Sequence, residues 1–152
     1  MWRSASRSFV CSPDRETRWI SEVGEGPDGV ARTASIEGCL DELGGFELAA
    51  LAGCMVGAAE RGIPVLLDGF IVGAAALVAT RHRPETARAL WPATASAEPG
   101  HQAILEALGL GQPIFELGLR LGEASGATLA IPVVRSAAAI ASEMATLAEV
   151  LG

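Results

Sequence analysis

Pro64-Val65-Leu66-Leu67-Asp68-Gly69 is the stretch on which the fold turns. It is a short, uninterrupted apolar run that ends in Asp-Gly. It lacks the apolar–polar alternation of a strand with one wet face. Upstream, Phe46 to Glu60 carries Leu48, Leu51, Ala52, Met55 and Ala59 on one helical face and stops at Gly62. Downstream, a second helical pattern runs from Phe70 to Thr80. Helix–strand–helix order around a continuously apolar strand implies burial on both faces, hence a parallel sheet in an α/β layer structure. Ligands in such folds bind outside the carboxyl ends of the strands. Asp68 and Gly69 therefore fall at the expected crevice.

Working outward, a helical pattern starts at Thr33, with Ile36, Leu40 and Leu43 on one face, Ser35 as N-cap and Gly44-Gly45 as its end. Residues 1–32 have no sustained period and read as loop or poorly ordered chain. Beyond Thr80 come a short helical stretch from Glu85 to Leu90, a polar turn over residues 94–100 and a helix from His101 to Leu108. Pro113 to Leu117 is a second strand candidate. From Gly122 the longest helical stretch begins, and Pro132 inside it is expected to mark a kink or a junction between two helices. Ile131, Val134, Ala138, Ala141, Ala145 and Ala148 then form a small-residue face. Two strands are too few for a complete doubly wound sheet, so the chain reads as part of a fold.

Composition narrows the function classes. The chain has 152 residues, half of them apolar, a formal charge of −7 and no Lys. An acidic chain without Lys is a poor nucleic-acid binder, because cations must displace counterions along the phosphates. It also lacks the Lys of a Walker phosphate loop or a Schiff base. The charge is uneven: residues 1–35 hold five Arg and five acids, and residues 36–152 hold six Arg and thirteen acids. Cys11, Cys39 and Cys54 form no CxxC pair, which points to buried thiols in a reducing compartment. His82 and His101 lie in polar segments and are expected at the surface. The longest apolar run, residues 70–79, is too short to span a bilayer, and the Arg- and Ser-rich N-terminus lacks a secretory hydrophobic core. The expectation is a cytoplasmic chain with no membrane contact.

Three stretches are candidates for chemistry. In Leu119-Arg120-Leu121-Gly122-Glu123-Ala124-Ser125-Gly126, Glu123 opens a small-residue helix. In an apolar cleft it would serve as a general base; in a first helical turn it would complement the helix dipole. Asp68 is either the N-cap of the helix from Phe70 or a polar ligand contact. Ser96, Glu98 and His101 lie close in sequence, but no GxSxG elbow exists, and a loop feeding a helix accounts for them. Gly24 to Gly29 is too weak a glycine run to be a phosphate loop, while the helix starts at Gly69 and Gly122 are candidate anion sites.

Several motifs in order carry a resemblance: residues 44–53 (GGFELAALAG), 63–71 (IPVLLDGFI), 74–79, 96–101 (SAEPGH), 117–127 (LGLRLGEASGA) and 143–146. From about Ala34 onward the chain resembles the C-terminal third of the nicotinate-nucleotide–dimethylbenzimidazole phosphoribosyltransferase family. The resemblance implies a three-layer α/β/α parallel-sheet fold, helix-rich and incomplete here, and a homodimer or association with a missing half. It implies transfer of phosphoribose from nicotinate mononucleotide to 5,6-dimethylbenzimidazole, giving alpha-ribazole 5′-phosphate and nicotinate, with no metal and no cofactor. Glu123 matches the family's catalytic carboxylate, Leu121 and Gly122 match the wall of the base pocket, and Asp68, Gly69 and Ser96 lie near the crevice. The division implied is a divergent segment, residues 1–33, and a transferase-like portion, residues 34–152.

Two departures qualify the resemblance. The family enzyme is more than twice this length, and its central Gly-Asn-Thr-Thr segment has no counterpart, since the chain contains no Asn. Half a pocket forfeits proximity effects worth up to roughly 7–11 kcal/mol, so the chain alone is expected to have little or no transferase activity. The alternative is a non-catalytic fragment or oligomerisation module, whose open sheet edges and apolar helix faces would show as self-association.

Overall fold

The computed structural model describes Ile36, Leu40, residues 44–98 and residues 100–152. Ser35, Leu43, Cys11, Cys39, Pro99, the Gly24–Gly29 run and the division at residue 33 lie outside the described residues. Ile36 and Leu40 are both helical.

The elements are α1 (Phe46–Glu60), β1 (Val65–Leu67), α2 (Phe70–His82), a 3-10 turn (Pro84–Ala89), β2 (Leu90–Pro92), α3 (His101–Leu108), α4 (Ser125–Glu143) and α5 (Leu147–Leu151). β1 and β2 pair in parallel, with Val65 opposite Leu90 and Leu67 opposite Pro92. A third extended segment continues the sheet beyond β2. Ile114 N donates to the Pro92 carbonyl at 3.0 Å and Phe115 N to the Ala93 carbonyl at 2.9 Å, with a parallel bridge between Thr94 and Phe115.

The side chains of β1 alternate between two cores, as the two-residue repeat of a strand requires. Val65 and Leu67 pack with Met55, Ala75, Ala76, Leu77, Leu90, Ile104 and Leu108, beneath α1, α2 and α3. Leu66 faces the other way, against Ala93, Ala127 and Ala130, with Ile114 and Phe115 beside them. Helices thus cover both faces of a parallel sheet, which explains why β1 has no polar residue. The α/β layer expectation is met. Small residues let the helices approach closely: the second core is built on Ala93, Ala127 and Ala130, and a Cβ at Gly73 of α2 would meet Ile104 Cγ2 of α3 at 3.0 Å.

Several expectations need correction. The strand paired with β1 is Leu90–Pro92, which starts at the last residue of the stretch that reads as helical and is not among the strand candidates, because the Pro84 turn is a short 3-10 segment that ends at Ala89. Pro132 does not divide the last stretch into two helices, since α4 is a single helix of 19 residues with Pro132 inside it. The missing N–H orphans only the Thr128 carbonyl, on an exposed residue open to water. Cys54 is a free, exposed thiol rather than a buried one, because it lies about 100° around α1 from the buried Met55. His101 is buried, not at the surface, with 3% of its area exposed. The notion that no segment could span a bilayer fails on length: α4, with mean hydropathy 1.2, is the one described helix long and apolar enough. Its first turns, however, are docked on the sheet through Ala127 and Ala130.

Burial along α4 is lopsided. Gly126, Ala127 and Ala130 are buried, whereas Val133, Ile140 and Met144 are exposed, as are Leu147 and Val150 of α5. Leu77→Ala should therefore lower stability by about 2–5 kcal/mol, the cost of a cavity in a close-packed core. Ile140→Ala should change it by less than about 0.5 kcal/mol. Urea denaturation of the two variants checks the contrast; equal losses would mean that α4 is packed along its whole length.

Candidate active site

The carboxyl ends of the three parallel segments lead into residues 68–69, 93–100 and 116–124. All six residues singled out from the sequence lie on these loops: Asp68, Gly69, Ser96, Leu121, Gly122 and Glu123. Gly69 and Ser96 are adjacent, since a Cβ on Gly69 would stand 3.6 Å from Ser96 Cβ. Ser96 Oγ accepts from Glu98 N at 3.2 Å, which folds the loop back on itself. Ser96 and His101 do not form a hydrolase pair, because the imidazole is engaged elsewhere.

Asp68 does cap a helix, but not the adjacent one. The N-cap of α2 is Gly69, with no side-chain cap hydrogen bond. Instead Asp68 Oδ1 accepts from Gly126 N at 2.7 Å and Ala127 N at 3.0 Å, the first free amides of α4. A carboxylate there satisfies two orphan donors and complements the positive end of the helix dipole. The α4 N-terminus that reads as an anion site thus holds an anion from the chain itself. The Asp68 carbonyl in turn accepts from Thr94 Oγ1, tying the ends of β1 and β2 together. Gly126 sits against this tie: a Cβ there would fall 2.9 Å from Thr94 Cβ and closer still to its branches.

Glu123 is exposed, as are Leu121, at 77% of its area, and Gly122. The apolar enclosure expected around Glu123 is therefore not provided by the described residues. Nor does Glu123 occupy the first turn of α4, whose N-cap is Ala124. Its backbone is unusual. Gly122, Glu123 and Ala124 have φ of 71°, 55° and 60°, three successive residues in the left-handed region. For residues with a Cβ this costs roughly 1–2 kcal/mol each. The turn is closed by Ser125 N on the Gly122 carbonyl at 3.0 Å.

His101 is the buried polar residue that sequence reasoning missed. Its Nε2 lies 3.2 Å from the Thr94 carbonyl, which can only accept, so Nε2 carries the proton. Nδ1 is buried without a partner among the described residues. The ring lies beside Gly73, where a Cβ would stand 3.9 Å from Nδ1, an ordinary contact. Desolvation lowers the imidazole pKa below its ordinary value, partly offset by the Thr94 hydrogen bond. A cavity of about 400 Å³ opens at the opposite edge of the sheet, among Ile63, Pro64, Arg83, Thr86 and Trp91, away from the clustered loops. Among the described residues no group of His, Cys, Asp and Glu could hold a metal ion.

A family model described as phosphoribosyltransferase matches residues 27–150. The chain belongs to that phosphoribosyltransferase family. A nicotinate-nucleotide–dimethylbenzimidazole phosphoribosyltransferase of Bradyrhizobium diazoefficiens is 52% identical over 121 residues, 80% of this chain and 34% of that one. The enzyme of the same name from Azotobacter vinelandii is 53% identical over 110 residues, 72% of this chain and 31% of that one. The crystal structure of the Thermus thermophilus enzyme matches with a TM-score of 0.69 and 47% identity, covering 73% of this chain and 33% of that one. The chain spans about a third of the length of the curated relatives it matches.

The packing of these loops can be tested at two residues. Gly126→Ala should destabilise the chain by about 1–3 kcal/mol through overpacking on Thr94. Gly111→Ala, where a Cβ would meet nothing within 4 Å, is the control; thermal melts of both decide it. For His101, the unfolded chain takes up a proton near pH 6.5 and the folded chain only at lower pH. The unfolded state binds more protons between those values, so stability should fall as pH drops below about 6.5. His101→Gln should flatten that part of the profile in melts from pH 7.5 to 5.5; parallel profiles would rule the contribution out.

Proposed function

We propose that this chain supplies the carboxylate-bearing edge of a phosphoribosyl-transfer site, acting on nicotinate mononucleotide and 5,6-dimethylbenzimidazole. The observation that carries the reading is the gathering of Asp68, Gly69, Ser96, Leu121, Gly122 and Glu123 on loops at one edge of a parallel sheet. The chain is also about half identical to relatives that bear that enzyme name.

In this reading Glu123 is the general base. One ring nitrogen of dimethylbenzimidazole attacks C1′ of the ribose from the face opposite nicotinate, which inverts the anomeric carbon. The bond from C1′ to the pyridinium nitrogen breaks, and its electron pair neutralises that ring as nicotinate leaves. The other benzimidazole nitrogen gives its proton to Glu123. The products are alpha-ribazole 5′-phosphate and nicotinate, the chemistry that prepares the lower ligand of cobalamin. Leu121 and Gly122 form one wall of the base pocket, and Gly69 and Ser96 lie near the crevice.

The exposure of Glu123 and Leu121 supports a division of labour: the opposing wall comes from polypeptide that this chain does not match in its relatives. The exposed apolar side chains of α4 and α5 support association, either as a homodimer or with that remaining part. The exposed free thiol of Cys54 suits a reducing, cytoplasmic compartment.

The chain alone should show little or no turnover of nicotinate mononucleotide with dimethylbenzimidazole. Combined with a polypeptide supplying the rest of the family fold, it should turn over. Glu123→Gln should then lower kcat by roughly 10²–10⁴, the usual worth of a general base. Full turnover by the Gln variant would remove Glu123 from the mechanism, and turnover by the chain alone would remove the need for a second wall.

A further inference from the structure

We infer that Asp68 is a positioning residue for Glu123: its carboxylate fixes the left-handed turn that presents the glutamate at the mouth of the crevice. The inference rests on the reading of Glu123 as the base and extends it to the residue that holds the turn.

Three observations combine. Gly122, Glu123 and Ala124 all have positive φ, a conformation that two residues with a Cβ do not hold unaided. Among the described residues the backbone bonds of the turn are Ser125 N to the Gly122 carbonyl and Thr128 N to the Ala124 carbonyl, so its support runs through the first turn of α4. That first turn is fastened by Asp68 Oδ1, through the amides of Gly126 and Ala127. Asp68 is itself fixed at the end of β1, where Thr94 Oγ1 donates to its carbonyl. Gly126 lies so close to Thr94 that no Cβ would fit between them. The turn therefore continues directly into a helix whose start is held against the sheet. With Oδ1 occupied by two N–H donors, the Asp68 carboxylate acts on the geometry of Glu123 through that oxygen.

Backbone amide exchange and ¹³C chemical shifts of the isolated chain, measured by NMR, test this without any activity. In Asp68→Ala, exchange at Gly126 and Ala127 should rise at least about tenfold, the worth of a lost charge-assisted cap. The Glu123 and Ala124 Cα and Cβ shifts should move from left-handed values towards averaged ones. Ala75, Ala76 and Leu77 of α2 should exchange as before. Asp68→Asn, which keeps an acceptor oxygen at the same place, should restore both signatures. If Asp68→Ala also loses protection in α2, Asp68→Ser, too short to reach both amides, gives the same reading in a milder background. Unchanged Glu123 and Ala124 shifts beside faster Gly126 exchange would mean that Asp68 only caps α4, and would overturn the inference. So would an Asn variant no better than the Ala one. The role of Glu123 itself is judged separately, by the turnover of Glu123→Gln.

Discussion

The bond between the Asp68 carboxylate and the amides of Gly126 and Ala127 holds the two faces of this protein together. β1 and β2 offer only three residues each, so the sheet cannot orient its helices by length. What aligns α4 with the sheet is a charged acceptor at the end of β1 meeting the unpaired donors of a helix start. The Thr94 hydroxyl on the Asp68 carbonyl and the missing side chain of Gly126 tighten the same junction. His101, anchored on the Thr94 carbonyl and seated beside Gly73, extends it into the other core. Asp68, Thr94, Gly126 and His101 form one continuous joint across the sheet.

Much of this was legible in the sequence, for physical reasons. A run such as Val65-Leu66-Leu67 is informative because a strand covered on both faces admits no polar residue, and α1, α2 and α3 follow the helical spacing of their apolar residues. β2 was not legible: Leu90-Trp91-Pro92 is too short to show a period, and its proline and half-exposed Trp91 resemble a turn. α4 was visible as a helix, but its unity across Pro132 depends on which carbonyl loses its donor, which periodicity does not report.

The site divides in the same way. Its location at the carboxyl edge follows from the parallel sheet, and the motif around Glu123 stands out through its glycines. The partner of Asp68 did not, because capping rules look a few residues ahead while the helix it serves begins 58 residues later. Burial of His101 was hidden by its polar neighbours. The exposure of Leu121 and Glu123 has no sequence signal either, since the apolar residues of the motif read as if they were covered.

That 58-residue separation also has a bearing on the order in which the molecule comes into being. Residues far apart along the chain must overcome the entropy of closing the intervening loop before their contact stabilises anything. On the ribosome, β1 and α2 emerge well before the first amides of α4. The acceptor thus precedes by 58 residues the amides of a helix whose start has no side-chain cap of its own. In the proposed site, the turn bearing Glu123 is set by that same contact.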